Sequence, residues 1–280
     1  MKRLFISAVL ALALCSSLDL CSESSIRIVP VPATPEPNHV NVKIIYPSEN
    51  ELCRSDSRGQ IRITGLALGV DSEFPRKKEI FNDSNGQTLH MIIDNQPYFT
   101  LTESDMDAQR GIDENSNELV LFDIPHLSRG MHTIRVFPAR SFKESLKDKG
   151  CFAVRTFYYR GHGQRPSIDL CKPYLTYNEP QGIYFQQGCG QRGCNPQPIL
   201  LDFYITNCQL SRDGYKVAVE IERVTKAKKI LTSEILTSWQ PYYIYGLNRG
   251  TYHIRLQLLD SNNQLVPGIF NHVEREFSIQ

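Results

Sequence analysis

The 280-residue chain predicts an all-β fold made of two β-sandwich domains. Three observations predict it. Short runs alternate apolar and polar residues with period two, and turn residues separate them. No stretch carries the long 3.6-residue apolar period of a helix; KESLKDKG (143–150) is the best helical turn, and it sits in a hairpin connection. Finally, LSRGMHTIRV (127–136) and LNRGTYHIRL (247–256) repeat at an offset of 120 residues, the size of a duplicated domain rather than of a solenoid unit.

The chain opens with Lys2 and Arg3, then the apolar run LFISAVLALAL (4–14), then small residues and serines. That order predicts an export signal over 1–21, too short to span a bilayer comfortably. Ala11 and Ala13 offer one small-x-small cleavage site, and Cys15 and Ser17 another. LAL followed by Cys15 also resembles a lipobox, departing from it at Leu14. Cys15 is therefore a candidate lipidation site, and an N-terminal lipid is the only membrane contact expected. The expected location is the periplasm, the outer-membrane surface or the medium. Residues 22–40 carry Pro30, Pro32, Pro35 and Pro37 without apolar periodicity. They predict an extended linker that holds the body away from its anchor.

Strand patterns follow in order. In 41–160 they are VNVKIIY, QIRITGLAL, TLHMIID, ELVLFDI, HTIRVFP and FAVRTFYY. In 172–280 they are YLTY, ILLDFYIT, YKVAVEIE, KILTSEIL, YYIYGL, YHIRLQLL and REFSIQ. These two spans are the two predicted domains. Within the repeat, Leu127 and Leu247 would plug the core. Gly130 and Gly250 would allow a turn that a side chain opposes. Ile134, Val136, Ile254 and Leu256 would point inward at period two, and Arg135 and Arg255 outward.

The L-x-x-G-x-H-x-I-x-V pattern of 127–136 resembles the bacterial immunoglobulin-like family, and 247–256 is similar with its histidine displaced by one residue. The resemblance implies a two-sheet sandwich in each half and says little about function, because that fold hosts many roles. The family's core cysteine pair across a tryptophan is missing; Trp239 is the only tryptophan.

Eight cysteines are present. Cys15 and Cys21 belong to the leader region. Cys53, Cys151, Cys171, Cys189, Cys194 and Cys208 form an even set, which in an exported chain predicts disulfides. Cys189 and Cys194 could close GCGQRGC on itself or reach Cys171 and Cys208. A Cys53–Cys151 bridge is one further possibility, and Cys53→Ser would then lower the melting temperature of the first domain. No metal and no cofactor is expected, because the CxxxxC pair has neither a second pair nor a nearby histidine.

A net charge of +1, from 31 basic and 30 acidic side chains, argues against a nucleic-acid partner. The stretch SWQPYYIYGL supplies Trp239, Tyr242, Tyr243 and Tyr245 as a possible ligand surface for a sugar or a protein, weighed against ordinary strand packing. The acidic loop 103–118, the basic runs PRKK (75–78) and KAKK (226–229), and seven scattered histidines all read more simply as solvated or structural residues. No nucleophile, zinc or phosphate-binding motif occurs. The expected function is therefore non-catalytic: an exported envelope protein that binds a protein or glycan partner. A sugar-binding accessory or secreted hydrolase, and a structural spacer, are the alternatives.

Overall fold

A computed structural model describes residues 26–101, 110–112, 118–163, 169–186, 197–225 and 229–280. The chain is all-β, with no α-helix among the described residues. In chain order the strands are β1 (Arg27–Pro30), β2 (Asn41–Tyr46), β3 (Glu51–Cys53), β4 (Arg58–Thr64), β5 (Thr88–Ile93), β6 (Phe99–Leu101), β7 (Arg110–Ile112), β8 (Glu118–Asp123), β9 (Gly130–Ala139) and β10 (Ala153–Tyr159). They continue with β11 (Tyr174–Glu179), β12 (Gly182–Tyr184), β13 (Ile199–Thr206), β14 (Lys216–Arg223), β15 (Lys229–Leu236), β16 (Tyr242–Tyr245), β17 (Gly250–Leu259) and β18 (His272–Ile279).

These strands make four sheets. Sheet β2-β4-β8-β7 faces sheet β3-β10-β9-β5-β6, and between them lies a core that includes Ile61, Leu89, Met91, Val136 and Phe157. Sheet β1-β16-β13-β11 faces sheet β12-β18-β17-β14-β15 around Leu201, Phe203, Val219, Ile254 and Phe277. The order of one five-stranded sheet maps onto the other strand for strand, with β3, β10, β9, β5 and β6 answering to β12, β18, β17, β14 and β15.

The period-two pattern does its work in each core. Side chains at alternate positions of β9 (Ile134, Val136) and of β17 (Ile254, Leu256) enter their sandwich, as sterics of the pleat require. Gly130 and Gly250 open these strands at φ 139° and 153°, a region that a Cβ opposes. The repeat also hides an equivalence that the displaced histidine obscures. His132 points Nε2 at the Ser128 carbonyl, 2.8 Å away, and Tyr252 donates its hydroxyl to the Asn248 carbonyl at 2.7 Å. These residues stand 120 positions apart in both cases, so tyrosine in the second half does what histidine does in the first. His253 instead faces solvent between Glu222 and Glu276.

His132 has a second partner. Its Nδ1 lies 2.7 Å from Asp94 Oδ2, while Asp94 Oδ1 accepts the Thr133 N–H at 3.0 Å. Both ring nitrogens thus face acceptors, which only the protonated ring satisfies. Burial opposes that charge, but the bonds to Asp94 and Ser128 outweigh it and raise the pKa.

Three expectations are corrected by the structure. KESLKDKG forms a loop with one isolated bridge, Ala139 to Ser145, rather than a helical turn. The proline-rich 22–40 is no stalk from residue 26 onward: β1 pairs antiparallel with β16, so this segment supplies the edge strand of the second sandwich. The Cys53–Cys151 bridge is excluded by strand geometry. Cys53 is in register with Tyr159 at one end of β10, whereas Cys151 precedes the other end. Six residues of strand separate those ends by about 20 Å, and a bridge needs Cα atoms within about 7 Å. Cys53 is a buried core residue of the first sandwich, and Cys151 packs with Val40 and Leu146.

The paired turn contacts generate a test. Tyr252→Phe removes a buried hydroxyl bond and should destabilise by about 1 kcal/mol, with no pH dependence. His132→Phe should cost more below pH 6.5 than above it. Its raised folded pKa contributes stability that is fully present below the unfolded value near 6.5 and is lost as pH rises through the folded one. Denaturant midpoints at pH 5.5 and 8.5 check both.

Candidate functional site

The richest chemistry among the described residues lies between the sandwiches. β5 and β11 are buried at every position, and β9 and β13 nearly so. One face of each strand fills its own core. The other faces form a seam in which the β5-β9 face meets the β11-β13-β16 face. Two apolar groups anchor it: Ile80, Phe142, Leu200 and Tyr243 in one, and Ile92, Tyr98, Phe137 and Tyr204 in the other. Phe137 and Tyr204 pack across it with ring centroids 4.9 Å apart.

The remaining seam positions are largely polar and hydrogen-bonded across it, with Arg135 Nε and the Tyr204 hydroxyl left without a hydrogen-bond partner. Asp202, on β13, has no exposed surface. It accepts from the Ser145 N–H at 3.1 Å and hydroxyl at 2.5 Å, from Asn178 Nδ2 at 2.7 Å, and from the Lys147 ammonium. Asn178 also donates to the Lys143 carbonyl at 2.8 Å. Its amide oxygen is left as an acceptor, 2.7 Å from His90 Nδ1, so the neutral ring carries its proton on Nδ1. Burial pushes the His90 pKa down to about 3, and the ring stacks on Tyr98 at 3.8 Å.

Glu179 is equally buried and takes the hydroxyls of Tyr98 and Tyr184. Its pKa is raised, chiefly by loss of water. Arg135 is only 1% exposed, with its pKa lowered to about 9 by burial. It donates to Thr176 Oγ1 at 2.8 Å and the Leu175 carbonyl at 3.2 Å, and lies over Phe270 at 4.0 Å. Arg135 therefore enters the seam and does not point to solvent. Its repeat partner Arg255 does face outward, pairing at 2.6 Å with both Glu220 and Glu274.

The N-terminal segment crosses this seam as a strap. Arg76 Nε donates to Thr34 Oγ1 at 3.1 Å, another Arg76 nitrogen to the Pro32 carbonyl, and Arg140 to the Pro35 carbonyl at 2.7 Å. Glu144 accepts the Thr34 N–H at 3.1 Å and pairs with Arg76 at 3.0 Å. Glu36 accepts the Lys147 N–H at 3.0 Å. Burial pushes the carboxyls of Glu36 and Glu144 up. PRKK thus forms a 3-10 turn whose Arg76 is a buried clamp rather than a solvated charge. KAKK (226–229) lies outside the described residues except for Lys229, which belongs to β15.

The predicted aromatic surface is not assembled. Tyr242 fills the second core. Tyr243 lies in the seam, bonded to Arg76 and Glu79 at 3.1 and 2.9 Å. Tyr245 packs beside Arg27. Trp239 is partly exposed, but its Nε1 donates to the Phe203 carbonyl at 2.8 Å. These side chains alternate between core and seam, so they leave no shared outward face.

The body cysteines among the described residues, Cys53, Cys151, Cys171 and Cys208, are all free, so the expected disulfides are not formed among them; the register places Cys171 and Cys208 at one end of the second sandwich. Asn207 Nδ2 there bonds the carbonyls of Leu170 and Lys172 at 2.7 and 3.1 Å. Cys15, Cys189, Cys194 and most of the acidic loop lie outside the described residues. No group of three His, Cys, Asp or Glu suited to a metal occurs among the described residues. None of their helices is long and apolar enough to cross a membrane. Sequence reasoning missed Asp202, Asn178 and Glu179, whose only signal was polar letters within strands, and it singled out His90 and the Arg76 of PRKK only as solvated or structural residues.

No family model matches the chain, and no curated protein matches it. Among solved structures it is similar to fibronectin(III)-like modules of CbhA from Clostridium thermocellum, at 10% identity over 85% of this chain and 94% of that one, with a TM-score of 0.25. It is also similar to dimeric latent PorU from Porphyromonas gingivalis, at 13% identity over 92% of this chain, with a TM-score of 0.26. The chain spans only 20% of the PorU length. At these scores the likenesses carry no argument, and the fold rests on the strand order above.

Two outcomes follow from the seam. Asp202→Asn strips the charge that balances Lys147 and should destabilise by about 3–5 kcal/mol, while adding Lys147→Met should recover part of that loss; chemical denaturation of the three variants checks this. His90, with its depressed folded pKa, contributes stability that is present above about 6.5 and lost as pH falls toward about 3. His90→Gln should therefore flatten the acid limb of stability against pH by one proton, measured between pH 4 and 7.

Proposed function

We propose that the chain is a non-catalytic, exported cell-envelope protein that presents two immunoglobulin-like sandwiches as one rigid body to a protein partner. The observation that carries this reading is the seam. Its buried charges and amides fit only one relative placement of the two sandwiches. A network of this kind adds little net stability over apolar packing but penalises every other docking geometry. A rigid pair fixes the distance between surfaces at its two ends, as a binding platform requires.

The partner surface we assign is the outer sheet of the second sandwich. Among the described residues β15 is its unpaired edge, eight residues long, with Ile230 and Ile235 about half exposed. Unpaired edge groups there are available for strand addition. Beside them runs the ladder Glu220–Arg255–Glu274, which gives polar specificity at the rim. The sugar-binding alternative loses its support, because Tyr242, Tyr243 and Tyr245 are spent on packing.

The strap changes the expected anchorage. If Cys15 carries a lipid, only the short stretch 16–26 separates it from β1, so the body sits close to the membrane with the second sandwich nearest, not on a long stalk.

A photo-reactive residue at Ile235, in protein expressed with its leader, should yield a protein adduct in the envelope fraction, and one at Tyr242 should not. No adduct at Ile235, or equal adducts at both, would overturn the assignment. Non-reducing peptide mapping of the same material should find Cys171 joined to Cys208; free thiols at both would argue against an oxidising compartment.

A further inference from the structure

The two sandwiches match strand for strand, with one exception. In the first, sheet β2-β4-β8-β7 ends on β7, which precedes β8 in sequence. In the second, β11-β13-β16 needs an equivalent outer strand, but the connection from β15 to β16 is only residues 237–241. No strand fits in it. β1 fills the place, arriving from before the first sandwich.

The place is specific. β1 runs antiparallel to β16, with Ile28 opposite Ile244 and Pro30 opposite Tyr242. Ile26 and Ile28 pack on the core of the second sandwich, and Val31 packs in the seam. The Val31 N–H bonds the Pro241 carbonyl at 3.0 Å. The strap then carries on into the clamps of Arg76, Arg140 and Glu144. Residues 26–36 thus read a continuous track of apolar sockets, edge main chain and guanidinium donors. The covalent link from that track to β2 is short and ends in the turn at Asn38 and His39, where His39 has φ 63°.

We infer that the edge of β16 is an exchangeable strand-acceptor site: it holds residues 26–36 of its own chain, and when the hinge is constrained it takes the same residues of a second copy, giving a dimer that exchanges N-terminal strands. The track selects this occupant over a foreign strand. Main-chain pairing alone accepts any extended segment, but the track also demands apolar residues at 26, 28 and 31, a hydroxyl at 34, and free carbonyls at 32 and 35. An identical chain supplies all of these, and the closed two-fold exchange adds no new contact except at the hinge. Within one chain the tether keeps the strand home by effective concentration. Constraint at the hinge turns the balance outward.

The test uses the full chain. Deleting Asn38 and His39 shortens the strap so that one chain cannot fill its own track. The deletion variant should run as a dimer in light scattering, where the parent runs as a monomer, and adding Ile28→Asp should abolish the dimer. A folded, monomeric deletion variant would overturn the proposal. If that variant does not fold, a second measurement decides. The full chain carrying Ile28→Asp is refolded with a labelled peptide of residues 26–37. Saturable capture, at least tenfold weaker for the Ile28→Asp peptide, supports the acceptor site. No capture overturns it. Equal capture of a scrambled peptide would replace the second copy with an unspecific strand as occupant.

Discussion

Burial of both faces of β5, β9, β11 and β13 is the constraint on which the rest depends. A strand buried on both sides is usually a run of aliphatic residues. Here the second face carries His90, Arg135, Asn178, Asp202 and Tyr204. Each of these groups costs several kcal/mol if it enters the seam without a partner. His90, Arg135, Asn178 and Asp202 are therefore placed within reach of a group on the opposing sandwich or its loops, while the Tyr204 hydroxyl has no hydrogen-bond partner and its ring is held by packing against Phe137 and Phe152. That requirement fixes the loop 140–147, which must turn Ser145, Lys147 and the Lys143 carbonyl toward Asp202 and Asn178. It fixes the turn after β5, whose residues 95–98 meet Arg275 and Gln181 through main-chain carbonyls.

The same constraint explains what the sequence showed and what it hid. Period two was legible because the pleat sends alternate residues to different environments. The pattern cannot say what those environments are. Arg135 and Arg255 occupy equivalent places in LSRGMHTIRV and LNRGTYHIRL, yet one is sealed in the seam and the other bridges two glutamates in water. A polar letter at an outward position reads as solvent in both. The core residues Ile134, Val136, Ile254 and Leu256, and the turn glycines, were legible because their role is set within one sandwich. Asp202 and Glu179 were not, because their role is set by the other one. The three-residue strands β3, β6, β7 and β12 are too short to show a period.

The proline-rich segment misled for a related reason. Proline has no N–H, so a run of prolines offers no donor to a ladder and reads as a solvated linker. A chain of carbonyls without competing donors is also a good acceptor track. Arg76 and Arg140 use it so, donating to the carbonyls of Pro32 and Pro35. Guanidinium groups suit such a track because they are planar and rich in donors, and they need no matching charge on every bond. Pro30 falls at the last position of β1, where a missing donor on an edge strand does no harm.

Strap and seam are coupled through shared residues, which makes the two-domain body more than the sum of two sandwiches. Glu144 holds both the Thr34 N–H and Arg76; Tyr243 accepts from Arg76 and lines the seam beside Leu200 and Phe142. Lys147 bonds Asp202 through its side chain and Glu36 through its N–H. Loss of the strap would therefore open the edge of β16, strip Arg76 and Arg140 of their carbonyl acceptors, and expose the loop that grips Asp202. Each of these raises the cost of the next. The second sandwich cannot be treated as a unit that begins at residue 172. Its sheet is closed by residues that come before the first sandwich, and that topological fact ties the order of the chain to the rigidity of the body.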